Sequence, residues 1–225
     1  MPENDNSPIR IVLAEDHAIV RQGFLALLNN QPDMEVCAEA DSSTSTQESL
    51  QTCTPPPDIL IMDLVLKGED GLDLIKQVNA NYPELPILII SMREEEVYAE
   101  RCIRAGASGF IMKSQPGDEF IRAVHTVLSG EFHVSPPVQA QIVRRHFQKS
   151  IQLGGSDQDK LSDRELHVYH KIGEGRATRD IAKEMGISPK TVEAHREHIK
   201  KKLGLNNAAE LRRSAQTWVD HKYSG

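Results

Sequence analysis

Short apolar segments alternate with longer amphipathic segments over residues 1–130 of this chain. The apolar segments are nearly continuous, which is typical of strands that are buried on both faces of a parallel sheet. The predicted strands are 9–14, 34–40, 59–62, 87–90 and 109–112. The predicted helices, from the spacing of apolar positions, are 17–30, 43–53, 71–81, 95–105 and 117–129. Five successive βα units predict an α/β domain with a five-stranded, doubly wound parallel sheet.

The pattern changes after this first domain. Residues 131–160 predict a connector, in which Pro136 and Pro137 begin a helix that runs to about residue 149. The polar segment around Gly154 and Gly155 predicts a flexible hinge. Beyond it every amphipathic segment is helical. We therefore expect a first domain at 1–131, a linker at 132–159 and an all-α domain at 160–225.

Charge is distributed unevenly between these two domains. The chain has a formal net charge of −7, yet residues 161–225 hold 13 Lys+Arg against 9 Asp+Glu, a net +4. The other 160 residues hold 13 Lys+Arg against 24 Asp+Glu, a net −11. A basic second domain behind an acidic first one favours contact with nucleic acid through the second.

The remaining composition indicates a cytoplasmic protein. The longest apolar runs have the length of strands, and the first eight residues hold no signal-peptide core, so we expect no contact with a membrane. The three cysteines, Cys37, Cys53 and Cys102, are widely spaced with no CxxC pair. They predict free thiols rather than a disulfide framework or a zinc site.

Side chains that suit phosphate chemistry follow four of the five predicted strands. They are Glu15 and Asp16, Asp63, Ser91 and Lys113. Because the carboxyl ends of parallel strands meet at one edge of the sheet, we expect these side chains to share a crevice. Two carboxylates about 4 Å apart repel by roughly 4 kcal/mol at an effective dielectric of about 20, so the cluster requires cations. Lys113 supplies one, and oxygen ligands at an open edge favour Mg²⁺ as another.

Asp63 is the predicted nucleophile of this cluster, because it is central among the strands and follows a wholly apolar run. A carboxylate beside Mg²⁺ can accept a phosphoryl group, whose oxygens Lys113 and the ion would bind. Ser91 could donate a hydrogen bond to the group once it has arrived. A single polar residue at a strand end is usually only a cap, but five complementary residues on four strands favour a shared site.

Several segments resemble the signature blocks of response-regulator receiver domains. They are Leu13-Ala-Glu-Asp-His17, Ile61-Met-Asp-Leu64, Ser91-Met92 and Gly106-Ala-Ser-Gly-Phe-Ile-Met-Lys113. The resemblance implies a flavodoxin-like fold in which a sensor histidine kinase or a small phosphodonor phosphorylates Asp63. It implies Asp16 and Asp63 as direct Mg²⁺ ligands, the Val65 carbonyl as a third, and Glu15 acting through water. It also implies a switch, in which Ser91 moves toward the phosphoryl group and Phe110 rotates inward.

The second domain contains the pattern of a helix-turn-helix. A predicted helix at 178–185 is followed by a turn at Gly186, and Ser188-Pro189 begins a third helix. Val192, Ile199 and Leu203 share one face of that third helix. Its opposite face is polar and partly basic, which suits a DNA major groove, although the charge pattern alone favours a solvent-exposed face of a small helical bundle.

Further segments resemble the LuxR-type helix-turn-helix, which behind a receiver is the arrangement of the NarL/FixJ group of transcriptional regulators. They are Leu161-Ser-Asp-Arg-Glu165, Asp180-Ile-Ala182, Ile187-Ser-Pro-Lys-Thr-Val-Glu-Ala-His195 and Ile199-Lys-Lys-Lys-Leu-Gly204. The resemblance implies that base edges are read by Glu193, Ala194 and Glu197. It implies that phosphates are bound by Lys190, Thr191, Lys200 and Lys201.

The last predicted helix, 207–221, carries an apolar stripe. The resemblance implies that this helix helps to pair two DNA-binding domains, and packing on its own bundle is the alternative. The stripe consists of Ala208, Leu211, Ala215, Trp218 and Val219. We expect a homodimer on phosphorylation and an inverted-repeat operator in double-stranded DNA.

Taken together, the residues and the resemblance predict a phosphorylation-controlled transcriptional regulator. Phosphorylation would promote dimerisation, release of the recognition helix, or both. Beyond accepting and slowly losing its own phosphoryl group, the chain is not expected to be an enzyme. An aspartyl-phosphate phosphatase usually needs a second acid two residues after the nucleophile, where this chain has Val65. A DNA-binding regulator whose receiver does not depend on phosphorylation is the other alternative.

Overall fold

The computed structural model describes residues 7–149 and 160–223. The chain divides into two compact units, Met1–Arg144 and Arg145–Gly225. The hinge expected around Gly154 and Gly155 lies outside the described residues. Among the described residues, no helix combines the length and apolar character needed to cross a membrane.

The first unit is an α/β fold. Its first half contains β1 (Ile9–Ala14), α1 (Ala18–Asn29), β2 (Met34–Ala40), α2 (Ser43–Thr52), β3 (Ile59–Asp63), β4 (Val65–Leu66) and β5 (Glu69–Asp70). Its second half contains α3 (Gly71–Asn81), β6 (Ile87–Ser91), α4 (Glu95–Ala105), β7 (Gly109–Met112) and α5 (Gly117–Leu128). Five strands form a parallel sheet in the order β2-β1-β3-β6-β7. The predicted doubly wound sheet is confirmed.

The central strands β3 and β6 are buried along their whole length, which explains why their sequences are continuously apolar. On one face of the sheet, α1 and α5 bury Phe24 and Phe120, whose ring centroids are 4.7 Å apart. The short antiparallel hairpin β4–β5 directly follows Asp63 and was not predicted. Two-residue strands are too short to show a periodic pattern.

The edge of the sheet at β7 is covered by the chain that follows α5. The Phe110 amide donates to the His133 carbonyl over 2.8 Å, and the His133 amide donates to the Ser108 carbonyl over 3.2 Å. At Ser108 and Phe110 the backbone groups of this edge are therefore paired rather than open to another chain. Helix α6 (Pro136–Lys149) then begins at Pro136, as predicted.

The second unit is helical, with α7 (Asp163–Gly173), α8 (Thr178–Glu184), α9 (Pro189–Leu203) and α10 (Ala208–Tyr223). Its core is made of apolar side chains that all four helices bury. They include Leu166, Tyr169, Ile172, Ile181, Val192, Ile199, Leu211 and Ala215. Of the predicted α10 stripe, Leu211 and Ala215 pack within this bundle, whereas Ala208 is exposed. Trp218 lies against Tyr169 with ring centroids 5.5 Å apart.

Candidate functional site

Four strands bring the predicted phosphate-chemistry residues together at the carboxyl edge of the parallel sheet. Asp63 is the last residue of β3 and Ser91 the last residue of β6, while Lys113 directly follows β7. The register aligns Asp63 with Ile90 and Ser91 with Met112, so Ser91 lies one residue and Lys113 two residues beyond the level of Asp63 at the same edge of the sheet. Glu15, after β1, is fully buried beside them.

Lys113 is the cation at the centre of this cluster. Its Nζ lies 2.6 Å from Asp63 Oδ2 and also donates to Glu15 Oε2. The Lys113 side chain is only 6% exposed, and those of Glu15 and Asp63 are similarly buried. One ammonium thus faces two carboxylates in a place with little water to screen them. The cluster has room for further positive charge.

The shortage of positive charge affects the carboxyl group of Asp63. Burial raises the pKa of Asp63 above its ordinary value, and the nearby Glu15 raises it further, while Lys113 opposes both. Asp63 Oδ1 accepts a hydrogen bond from the Val65 amide at 3.2 Å, which fixes the plane of the carboxyl group. A cation bound next to Asp63 would favour its charged form, which is the nucleophilic form.

Asp16 offers an oxygen that has no hydrogen bond. Its Oδ2 accepts from the Lys67 amide at 2.8 Å, which holds the loop before β5 against the loop after β1. Its Oδ1 is buried without a hydrogen-bond partner, and it lies 2.8 Å from His17 Nδ1 in a contact that lacks hydrogen-bond geometry. A buried carboxylate oxygen without a donor is the environment in which a divalent cation is favoured.

The donor set fits a hard cation. Ligand atoms of Glu15, Asp16, His17 and Asp63 all lie within 4.8 Å of one another. Three of the four residues supply carboxylate oxygens, the ligands that Mg²⁺ prefers. Val65 lies two residues after Asp63, and the pairing of β4 with β5 fixes its backbone. His17 was not predicted from the sequence as part of this site. Its position directly after the acidic pair Glu15-Asp16 was the available signal.

The two predicted switch residues are both buried. Ser91 is 1% exposed, and its Oγ accepts a hydrogen bond from the Arg93 amide at 3.0 Å. Phe110 is 1% exposed on β7, opposite Ile89 of β6. In this structure the aromatic ring therefore already lies inside the fold. Met92, by contrast, is largely exposed beside the site.

The second candidate surface lies on α9. Ser188 caps this helix by accepting from the Thr191 amide at 3.1 Å, Pro189 occupies its first turn, and Gly204 ends it with a φ of 66°. Val192 and Ile199 are buried in the bundle. The predicted DNA-contacting residues lie away from that core, and all are exposed except Lys200, which is half-buried: Lys190, Thr191, Glu193, Ala194, Glu197, Lys200 and Lys201.

Both acidic residues on this surface have partners within the domain. Glu193 Oε1 accepts from Thr178 Oγ1 at 2.8 Å, and its Oε2 lies 3.4 Å from Arg196 Nε. Glu197 Oε1 lies 2.9 Å from Lys200 Nζ. The sequence had not predicted either partner of Glu193. Arg196 lies one turn further on the same helix, and that spacing was the available signal. Thr178 comes from α8, and only the packing of α8 on α9 brings it close.

A buried carboxylate connects the start of α7 to the end of α9. Glu165 forms a capping box with Ser162, accepting from the Ser162 amide at 2.8 Å. It also accepts from Lys202 Nζ at 2.6 Å. Burial alone would raise the pKa of Glu165, but the hydrogen bonds from Lys202 and Ser162 outweigh it and hold the pKa below its ordinary value. Glu165 is thus a charged anchor for α9.

Models of two protein families match the chain. The response regulator receiver domain matches residues 11–125, and the luxR family of bacterial regulatory proteins matches residues 159–215. The chain belongs to the two-component response regulators with a LuxR-type DNA-binding domain. The acidic cluster lies within the receiver match, and α9 lies within the LuxR-type match.

Individual response regulators resemble the chain over most of its length. The oxygen regulatory protein NreC of Staphylococcus carnosus (strain TM300) is 38% identical over 208 residues, covering 90% of this chain and 94% of that protein. A LuxR-family response regulator from Aurantimonas sp. SI85-9A1 is 32% identical, with a TM-score of 0.56, over 63% of this chain and 99% of that one. RcsB from Salmonella enterica serovar Typhimurium, solved on promoter P1flhDC with the phosphomimetic BeF3-, is 25% identical. Its TM-score is 0.57, over 94% of this chain and all of the RcsB chain.

Proposed function

We propose that this response regulator is phosphorylated on Asp63 with the help of Mg²⁺, and that phosphorylation controls its binding to DNA. The observation that carries the proposal is the imbalance at the strand edge. Lys113 is shared by Glu15 and Asp63, while Asp16 keeps a buried oxygen without a donor. The pocket would therefore bind one more cation and a phosphoryl group.

Asp16 and Asp63 would hold the ion through their carboxylates, Val65 through its carbonyl, and Glu15 through water. When bound, Mg²⁺ would neutralise the acidic residues and the phosphoryl oxygens. Asp63 would use a carboxylate oxygen to attack phosphorus. The bond from phosphorus to the histidine nitrogen of a sensor kinase, or to the oxygen of a small acyl phosphate, would break as the new bond forms.

Lys113 and Ser91 would act on the phosphoryl group itself. Lys113 Nζ, which donates to the unphosphorylated Asp63 carboxylate, would donate to a phosphoryl oxygen instead. Ser91 would donate its hydroxyl hydrogen to another phosphoryl oxygen. Ser91 now accepts from Arg93, so its hydroxyl hydrogen is not committed by that bond. When Ser91 moves, Phe110 on the neighbouring strand would move as well, and its movement would transmit the conformational change away from the site.

The output would be sequence-specific binding of α9 in the major groove of double-stranded DNA. Lys190, Thr191, Lys200 and Lys201 would bind phosphates, and Glu193, Ala194 and Glu197 would face base edges. A phosphorylated homodimer would bind an inverted repeat, and phosphorylation would raise affinity through dimerisation or by freeing α9. We propose a cytoplasmic protein with a receiver at 1–131, a linker at 132–159 and a DNA-binding domain at 160–225.

Intact-mass measurement after incubation with a small acyl phosphate tests the central step. With Mg²⁺ we expect one phosphoryl group on the wild type and none on Asp63→Asn. Asp73→Asn removes an exposed aspartate of α3 and should be phosphorylated like the wild type. Without Mg²⁺ incorporation should fall to background. Equal incorporation by wild type and Asp63→Asn would refute the assignment, and no incorporation by either would favour a receiver that does not depend on phosphorylation.

A further inference from the structure

Two of the three cysteines, distant in sequence, meet in the receiver. Cys37 Sγ and Cys53 Sγ are 2.8 Å apart, although the residues are separated by 16 positions. Cys37 lies on β2, the edge strand of the sheet, and Cys53 directly follows α2. Both side chains are partly exposed to solvent, whereas Cys102 is completely buried. A disulfide bond is about 2.05 Å long, so the two sulfurs need to approach by less than about 1 Å to form one.

The backbone around Cys37 directs its sulfur toward α2. The register between β1 and β2 pairs Ile11 with Val36 and Val12 with Ala38, so Cys37 is the extra residue of a bulge. Bulges redirect side chains relative to the regular pleat. The Cys37 thiol also contacts the Ile11 carbonyl at 3.4 Å. The pair is therefore held by the sheet on one side and by the end of α2 on the other.

The guanidinium of Arg10 donates a hydrogen bond to one of the two sulfurs. Arg10 Nη2 donates to Cys53 Sγ at 3.5 Å, and Arg10 is itself anchored through its Nε to the Pro55 carbonyl at 3.2 Å. Arg10 Nη1 lies 3.6 Å from Glu35 Oε2, and Arg10 Nη2 remains in contact with Cys53. A neighbouring guanidinium stabilises a thiolate, which is the reactive form of cysteine.

We propose that Cys37 and Cys53 form a reversible disulfide by exchange with a low-molecular-weight disulfide such as oxidised glutathione. The Cys53 thiolate attacks one glutathione sulfur, and the other glutathione leaves as a thiolate that takes up a proton. The Cys37 thiolate then attacks Cys53 Sγ and releases the second glutathione, which is protonated in turn. Two protein thiols are oxidised to one disulfide, and one glutathione disulfide is reduced to two thiols.

The order of attack follows from the surroundings of each sulfur. Burial and the adjacent Cys53 thiol raise the pKa of Cys37 to about 12, so Cys37 is a poor first nucleophile. The attack of Cys37 comes second and is intramolecular, because Cys53 Sγ lies beside Cys37 Sγ. The bond would join the edge strand β2 to the end of α2. That end lies at the opposite edge of the sheet from the acidic cluster, because α2 runs back against the direction of the strands.

The test uses the full chain, equilibrated in buffers of increasing ratio of oxidised to reduced glutathione and then alkylated. Intact mass should show the loss of two of the three alkylatable thiols, and peptide mapping should join Cys37 to Cys53. Cys102→Ala should form the same bond. Cys53→Ser should form no internal disulfide, and Cys37→Ser should stop at a single glutathione adduct on Cys53.

Three results would overturn the proposal. They are retention of all three thiols under oxidising ratios, glutathione adducts on the wild type without an internal bond, and a disulfide only between chains or to Cys102. Phosphorylation by a small acyl phosphate provides the check on folding, since neither serine variant touches the acidic cluster. A variant that keeps wild-type phosphorylation yet forms no disulfide assigns the effect to the sulfurs rather than to misfolding.

Discussion

The acidic cluster and the α9 surface place charge in opposite ways. Glu15 and Lys113, 98 positions apart, meet as buried side chains at the edge of the sheet. The α9 surface draws its residues from positions 190–201 of one helix, and its charges pair with near neighbours in contact with solvent. An unpaired charge in the buried receiver cluster therefore destabilises the fold strongly, whereas a charge on α9 can be changed with little effect on the free energy of folding. The first site is suited to a switch and the second to recognition.

Removal of the central cation should give the largest effect. Lys113→Met leaves Glu15 and Asp63 buried without their ammonium, and we expect a loss of about 3 kcal/mol in the free energy of unfolding at neutral pH. Lys76→Met, whose side chain is 60% exposed beside Asp73, should change stability by less than about 0.5 kcal/mol. Urea unfolding measures both. Equally small losses of stability in both variants would show that Lys113 does not stabilise the buried carboxylates, and would contradict the contrast drawn between the acidic cluster and the exposed charges.

Loss of an acidic residue from α9 should act on recognition rather than on folding. Glu197→Ala should leave the unfolding transition unchanged and remove about 1–3 kcal/mol of discrimination at one base pair, because a carboxylate can accept from the cytosine amino group. Selection of binding sites from a random DNA pool, with wild type and variant, measures the preference. Asp220→Ala, an exposed acid of α10 with the same charge change, is the control. Identical selected sequences for all three proteins would remove Glu197 from the base-reading set.

Glu165 lies between the two extremes, since it is buried but its partner Lys202 is 41% exposed. Because the pKa of Glu165 is lowered in the folded state, its stabilisation is present above its ordinary pKa of 4.5 and is lost as the pH falls through the lower folded value. Glu165→Gln keeps an acceptor for the capping box and should cost about 1 kcal/mol at pH near 7. Urea midpoints should lie closer together at pH near 4 than near 7. A gap independent of pH would show that the charge of Glu165 contributes nothing.

Removal of one cation proposed to bind a DNA phosphate should give the smallest effect. Lys201→Ala should weaken DNA binding several-fold for all sequences alike and lower the slope of log K against log salt by about 0.9. Lys76→Ala removes a receiver charge and should leave the slope unchanged. Titrations of labelled DNA at several salt concentrations measure the slope. A change confined to one DNA sequence would place Lys201 among the base readers.

The elements of both domains were largely predictable from the pattern of apolar positions. Each of the five strands of the parallel sheet, and each of the five helices α1–α5, lies within one residue of its predicted boundary, because buried strands and amphipathic helices have distinct periods. The hairpin β4–β5 was missed, since two-residue strands carry no period. On α10, Ala208 was expected in the apolar stripe and is exposed, because an alanine at the first turn of a helix contributes too little area to decide its orientation.

For the acidic cluster, the sequence by itself determined which residues meet. Parallel strands bring their carboxyl ends to one edge, so Glu15, Asp63, Ser91 and Lys113 could be placed together from strand ends alone. Only the tertiary structure decided how they share charge. The contact of Lys113 with two carboxylates, the unpaired oxygen of Asp16 and the place of His17 depend on side-chain directions that no spacing encodes.

Contacts between separate elements were decided by the tertiary structure in the same way. Cys37 and Cys53 read as unrelated thiols in the sequence, and Thr178 gives no sign that it reaches Glu193. The spacing of apolar residues along the sequence reveals which positions are buried, because buried positions repeat with the period of the helix or strand that contains them. The approach of one element to another depends on packing of the whole core, and that information is spread over residues far apart in the chain.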